Sequence, residues 1–438
     1  MRDLVIRGGT LVTMDPRRRV LRGDLLVRGG KIARIGKVPG PDRGRRVIDA
    51  TDKAVLPGFV QTHVHLCQAL LRGTADDLPL LEWLKKRIWP GEAAHDEKSL
   101  AASARLGLCE LLRSGTTTIQ DMGTVHHQDV IFEALRDSGI RAHAGKAMMD
   151  AGSGVPPRLK ERTRDSLRES EALCSRWHGA EKGRLRYAFA PRFVLSCSYR
   201  LLAEVGPLAR ERGARIHTHS SEQKPELRVV RRRFGRDNVE ALAEFGLVGE
   251  DVGLAHCVHV SRREIRLLAE TGTRVLHCPS ANLKLGSGVA PVPEMLAAGV
   301  PVSLGADGSP CNNNLDAFVE MRHAALVQKP RLGPQALPAA EVLALATIEG
   351  ARALGREHEI GSLERGKAAD LLVLDLQRAH NLGGEPYGAI VYSSGRDDVV
   401  HVLVDGRPLL FDRRLTSLDE ALAVSEARSQ RRRLLRRM

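Results

Sequence analysis

His63 and His65 stand one residue apart at the end of the stretch Pro57-Gly-Phe-Val-Gln-Thr-His63-Val-His65-Leu-Cys-Gln68. In a β-strand the side chains repeat every two residues, so both imidazoles face one way and can share one ion. Neutral imidazole is the commonest metal ligand. A His-x-His pair also occurs as a hydrogen-bonded or surface pair, so the remaining ligands decide. Four further stretches each read as a short apolar strand finishing in polar or ionisable side chains. They are Ala214-Arg-Ile-His217-Thr-His219-Ser-Ser-Glu222, Gly253-Leu-Ala-His256-Cys-Val-His259, His277-Cys-Pro-Ser-Ala-Asn282 and Ser303-Leu-Gly-Ala-Asp307-Gly. The first pair, a histidine from the 214–222 stretch and Asp307 make a mixed nitrogen and oxygen set that suits zinc, with ferrous iron as the alternative. His217 and His219 share a face. His219 lies nearer the strand end and is the expected ligand, with His217 as a deeper residue supporting a ligand or the packing.

Such side chains need a scaffold that brings strand ends together. Strands are expected over residues 55–65, 116–123, 141–149, 184–193, 214–222, 252–258, 273–279 and 300–308, most of them separated by amphipathic helical stretches such as 99–113. Gly115 is placed to stop that helix. Eight strands alternating with helices over about 250 residues predict an α/β fold, a (β/α)8 TIM barrel, whose chemistry gathers at the C-terminal strand ends. A doubly wound open sheet would want a glycine-rich phosphate turn after its first strand, where this chain has His-x-His. Glycine-punctuated β segments flank the middle on both sides. They predict a small β-sandwich domain built from residues 1–54 plus 359–415 around a barrel at 55–358, followed by a C-terminal helix and basic tail at 416–438.

The 438 residues are 42% hydrophobic and 27% charged, ordinary for a globular protein. No run of eighteen apolar residues exists, so no membrane span is expected, and the first residues alternate like a strand rather than a signal peptide. Seven cysteines are scattered without Cys-x-x-Cys, which suits a reducing cytoplasm. The net charge is +14, with basic clusters at Arg231–Arg233 and Arg431–Arg437. Nucleic-acid binding is one reading of these clusters. With 3% aromatic residues there are few stacking platforms, so solvated helix faces are expected instead. Removing the tail is expected to leave turnover unchanged.

The residues Pro57–His65, His219–Glu222, His256-Cys and Leu304-Gly-Ala-Asp307-Gly resemble the amidohydrolase superfamily, and within it the nucleoside and nucleobase deaminases, over essentially the whole chain. The resemblance implies one metal held by His63, His65, His219 and Asp307, with Glu222 as proton shuttle and His256 orienting or polarising the attacking water. Asp307 would also accept the water's proton. Binuclear relatives have a bridging lysine where this chain has Arg192, which implies a single ion. The stretches Trp89-Pro90-Gly-Glu92, Met122-Gly-Thr-Val-His126-His127 and Ser280-Ala-Asn-Leu-Lys are similar to deaminases of 5′-deoxyadenosine, 5′-methylthioadenosine and S-adenosylhomocysteine. By that likeness Glu92 takes both ribose hydroxyls, which a carboxylate can accept together. Trp83 and Trp89 are read as lid or core packing, with Trp83 also a candidate substrate contact. Arg192 stands where the methylthioadenosine deaminases carry a histidine. With Gln68 it resembles the pair that reads the purine edge in guanine deaminase. The expectation is hydrolytic deamination of a 5′-substituted adenosine by a homo-oligomer that meets a small-molecule substrate and neither nucleic acid nor membrane. Guanine or another amino-heterocycle is the alternative, and a barrel without catalysis the third reading.

Overall fold

The structure is a computed structural model that describes residues 3–40 and 42–438. Eight parallel strands follow one another around a barrel: Phe59–His65, Thr116–Met122, Arg141–Gly145, Leu185–Pro191, Arg215–Ser220, Val252–His256, Arg274–His277 and Val302–Leu304. The ring closes through a two-residue strand, Asp307–Gly308, which pairs in parallel with the first strand, Asp307 opposite Val64. All seven residues of Phe59–His65 are buried, as expected for a parallel strand covered on both faces. Helices lie between successive strands. Glu97–Arg113 begins with an Asp96 carboxylate accepting the Ser99 amide at 2.8 Å, an N-cap that satisfies a free helix donor. It ends before Gly115, whose φ of +83° is open to glycine at little cost.

Strands from both termini build a second, nine-stranded sheet. Its path runs Arg414–Leu415, Arg407–Phe411, Val399–Val404, Leu371–Asp375, Lys53–Pro57, Leu4–Val12, Val20–Arg28 and Lys31–Gly36, with Arg46–Asp49 beside Leu4–Val12. Leu371–Asp375 pairs antiparallel with Lys53–Pro57, so the two ends of the chain meet just before the first barrel strand. Arg141, at the start of the third barrel strand, ties barrel to sheet: its guanidinium contacts Asp370 at 2.7 Å and Asp405 at 2.6 Å. The final helix, Glu420–Arg437, lies along Glu97–Arg113. Among the described residues no helix is long and apolar enough to cross a membrane, and all seven cysteines are free and buried.

Candidate active site

The C-terminal strand ends converge. One ligand atom from each of His63, His65, His219 and Asp307 lies within 4.8 Å of the others. His63 Nε2 and His65 Nε2 stand 3.4 and 3.3 Å from Asp307 Oδ1, and His65 Nε2 is 3.3 Å from His219 Nε2. A tetrahedral ion with bonds of about 2.0–2.1 Å needs donors about 3.3 Å apart. His63 Nε2 is buried without a hydrogen-bond partner among the described residues, as a nitrogen reserved for an ion would be. The residues present therefore fit a divalent cation.

The other ring nitrogens explain why Nε2 faces inward. His65 Nδ1 donates to the Met122 carbonyl at 2.7 Å, and His219 Nδ1 to the Arg192 carbonyl at 2.7 Å. His63 Nδ1 meets His217 Nε2 at 2.7 Å. The two carbonyls thus set the tautomers of His65 and His219 from behind, and His217 supports His63 from the same side. Burial pushes His65 down to about 3 and also lowers His63 and His219. Burial works the other way on Asp307, but His63, His256 and His65 hold its carboxyl well below the usual range. Neutral imidazoles and an ionised carboxylate are the ligand forms a cation requires.

Backbone close approach makes this possible. A Cβ on Gly305 would lie 2.7 Å from both the N and the O of His63, and one on Gly308 would lie 1.9 Å from Gln68 Oε1. Asp307 sits between these glycines at φ +64°, and His256 at φ +74°. Both are left-handed conformations that non-glycine residues hold only when the surroundings impose them.

Glu222 and His256 face the same space, with His256 Nε2 at 3.6 Å from Glu222 Oε2 and 3.8 Å from Asp307 Oδ2. Asn282 Oδ1 accepts His256 Nδ1–H at 2.9 Å. Burial pushes Glu222 up to about 7. Burial opposes charge on His256, yet Glu222 and Asp307 raise it above its ordinary value. A pocket opens above these groups, lined on its polar side by His65, Gln68, Arg192 and Asp307 and roofed by Leu80, Trp83, Leu84, Phe193 and Leu285.

Glu92 stands behind this lining rather than open to it. Arg192 binds it bidentately, Nη1 to Oε2 at 2.6 Å and Nη2 to Oε1 at 3.0 Å, and Gln68 Nε2 reaches Oε1 at 2.8 Å. Of the roughly four lone-pair positions on a carboxylate, three are filled. Gln68 Oε1 is buried and unpartnered. The expected substrate residues Glu92, Arg192 and Gln68 are thus one hydrogen-bonded unit. Trp83 joins the roof, and Trp89 is buried in the same apolar cluster. His126 instead meets the Arg158 carbonyl and His127 faces Glu97 near the surface. Sequence reasoning left Gln223 unassigned. It accepts from the Leu80 amide at 3.2 Å and donates to the Leu285 carbonyl at 2.8 Å, joining two roof segments. Nothing in the local pattern around Gln223 marks that role.

The amidohydrolase family model matches residues 54–409. The chain belongs to the amidohydrolase family. Along its full length this amidohydrolase is 39% identical to a 5′-deoxyadenosine deaminase of Methanosarcina mazei, covering 100% of both chains. It is 39% identical to a 5-methylthioadenosine/S-adenosylhomocysteine deaminase of Moorella thermoacetica over 88% of each. An adenosine deaminase of Xanthomonas campestris, solved with bound zinc, superposes with a TM-score of 0.92 at 33% identity, covering 99% of each chain. The amidohydrolase barrel therefore carries its four-donor cluster in the setting of a metal-dependent hydrolase.

Proposed function

We propose that this chain hydrolyses the exocyclic amine of 5′-substituted adenosines, giving the inosine analogue and ammonia. The substrates are 5′-deoxyadenosine, 5′-methylthioadenosine or S-adenosylhomocysteine. The placement of Glu222 carries the reading: a buried carboxyl that holds a proton near neutrality faces the same cavity as the four donor atoms and His256. The full-length relatives named above support the nucleoside class. One divalent ion per subunit, zinc on the precedent of the Xanthomonas campestris structure, would be held by His63, His65, His219 and Asp307 and would acidify a water toward a pKa of about 7.

The chain's own groups divide the remaining work. Glu222 donates its proton to the ring nitrogen beside the carbon under attack. General acid help of this kind is worth ~100- to 10,000-fold. His256, its Nδ1 fixed by Asn282, directs Nε2 at the attacking water. Asp307 Oδ2, beside His256 Nε2, takes up one proton of the water and returns it to the departing amine, and the second leaves the new C–O group to restore Glu222 as the carbonyl forms and the C–N bond breaks. The apolar roof excludes bulk water and suits an apolar 5′ end. Arg192 and Gln68, held from behind by Glu92, form the polar lining that meets the ribose, in place of the direct Glu92 contact expected from sequence. Two Arg192 donors are engaged by Glu92 and so withdrawn from an oxo-purine edge, which weighs against guanine. The free buried cysteines support a reducing, cytoplasmic setting.

Ammonia release from 5′-deoxyadenosine, methylthioadenosine, S-adenosylhomocysteine, adenosine, guanine and an aminotriazine tests the proposal. Turnover of the 5′-modified nucleosides ahead of the bases is expected. Turnover of guanine alone would overturn it.

A further inference from the structure

The basic C-terminal helix looks, in sequence, like a solvated appendage. Its contacts are of another kind. Arg431 turns inward: Nε donates to the Leu70 carbonyl at 3.1 Å and Nη2 to the Arg72 carbonyl at 3.2 Å. These carbonyls close the short helical segment Leu66–Leu71, which carries Gln68. The last carbonyls of a helix lack partners within it, and a guanidinium fork can serve two at once. Gln68 in turn holds Glu92. Six residues on, Arg437 reaches Asp96 at 2.5 Å and Ser99 Oγ at 3.3 Å, just beyond the short helix Trp89–Ala93 that carries Glu92. Between them Leu434 is fully buried, in one apolar cluster with Leu70, Leu71, Trp83 and Trp89. The tail therefore holds the segment that supplies Gln68 by polar contacts, shares an apolar cluster with Trp89 beside Glu92, and is pinned at Asp96 and Ser99 just beyond it.

We propose that helix Glu420–Arg437 is the back wall of the substrate site, and that Arg431 is a positioning residue for Gln68 and, through it, Glu92. The role of this wall in substrate affinity rests on the nucleoside reading above. Arg431 touches no reacting atom, so its loss should act on binding more than on chemistry. On this proposal the tail, which the sequence alone leaves without a role, contributes to substrate binding.

The test uses the full-length, metal-loaded protein with Arg431→Ala, Arg431→Lys and Arg432→Ala, the last at an exposed neighbour. Losing a charged donor to two carbonyls should raise the nucleoside KM of Arg431→Ala about tenfold. Its kcat should fall less than threefold, Arg431→Lys should be intermediate, and Arg432→Ala should match wild type. Hydrogen exchange without substrate should quicken in residues 66–72 and 89–96 of Arg431→Ala while the rest of the barrel keeps its protection. Wild-type KM with wild-type exchange overturns the proposal, as does exchange quickened evenly throughout the barrel. Should the wild-type protein deaminate no nucleoside, the function above fails, and the exchange comparison still decides whether Arg431 holds the wall.

Discussion

At the scale of single residues, His217 shows how much a site depends on what stands behind it. Its Nε2 stands 2.7 Å from His63 Nδ1, where His65 and His219 use backbone carbonyls. His217→Phe removes the acceptor while keeping a ring, and should weaken metal binding about 10- to 100-fold. His217→Gln, which can still accept, should restore part of it. Competition with a chelator measures both, independently of turnover. Glu222 makes a different prediction. Glu222→Gln should lower kcat about 100- to 10,000-fold with metal content unchanged if, as proposed, the residue donates a proton and is not a ligand. Burial raises this carboxyl to about 7, so the protonated, donating form prevails below that pH. Activity should decline as pH rises through about 7, a slope that kcat/KM against pH would show. The residue types at this site were legible in sequence because ligand and acid–base chemistry admits few side chains. The engagement of Glu92 by Arg192 was not, because the partners lie 100 residues apart.

At the scale of elements, strand ends carry the site, and they are less regular than alternation suggests. Residues 300–308 read as one strand, yet the chain forms Val302–Leu304 and then, after Gly305-Ala306, the separate pair Asp307–Gly308. The break lets the backbone turn left-handed at Asp307 and aim its carboxylate at the histidines. The third strand breaks likewise, between Arg141–Gly145 and Ala147–Met148, at Lys146, whose buried ammonium pairs with Glu161 and Glu169. Hydropathy spacing reports which face is buried, but not where tertiary contacts override the ladder. Gly305 is the sharpest instance, since an added Cβ would meet the backbone of His63 at 2.7 Å. Gly305→Ala should cost about 1–3 kcal/mol through overpacking and lower metal occupancy. Thermal melting and metal analysis would measure the two effects, and wild-type values of both would count against this account.

At the scale of the whole molecule, arginines of the basic cluster at 231–233 are engaged in local contacts despite a net charge of +14. Arg231 pairs with Asp237, and Arg233 donates to the Val194 and Cys197 carbonyls at 3.0 and 2.8 Å. The buried bridge of Arg141 to Asp370 and Asp405 joins the barrel to the terminal sheet. Arg141→Ala leaves Asp370 charged in the interior and should cost about 3–5 kcal/mol. Chemical denaturation would register that loss, while kcat of the folded variant should stay near wild type because the bridge is remote from the strand ends that bear the site. By itself the sequence determined the barrel class and the donor residue types that meet at the strand ends. Those follow from side-chain periodicity and chemistry, which are local and repeat within a few residues. Only the tertiary structure decided that His63 leans on His217, that Arg192 engages Glu92, and that the basic tail turns Arg431 onto the carbonyls of Leu70 and Arg72. Each depends on a contact between residues 100 to 361 positions apart. No local pattern specifies such a contact, because the intervening chain must first fold to bring the partners together.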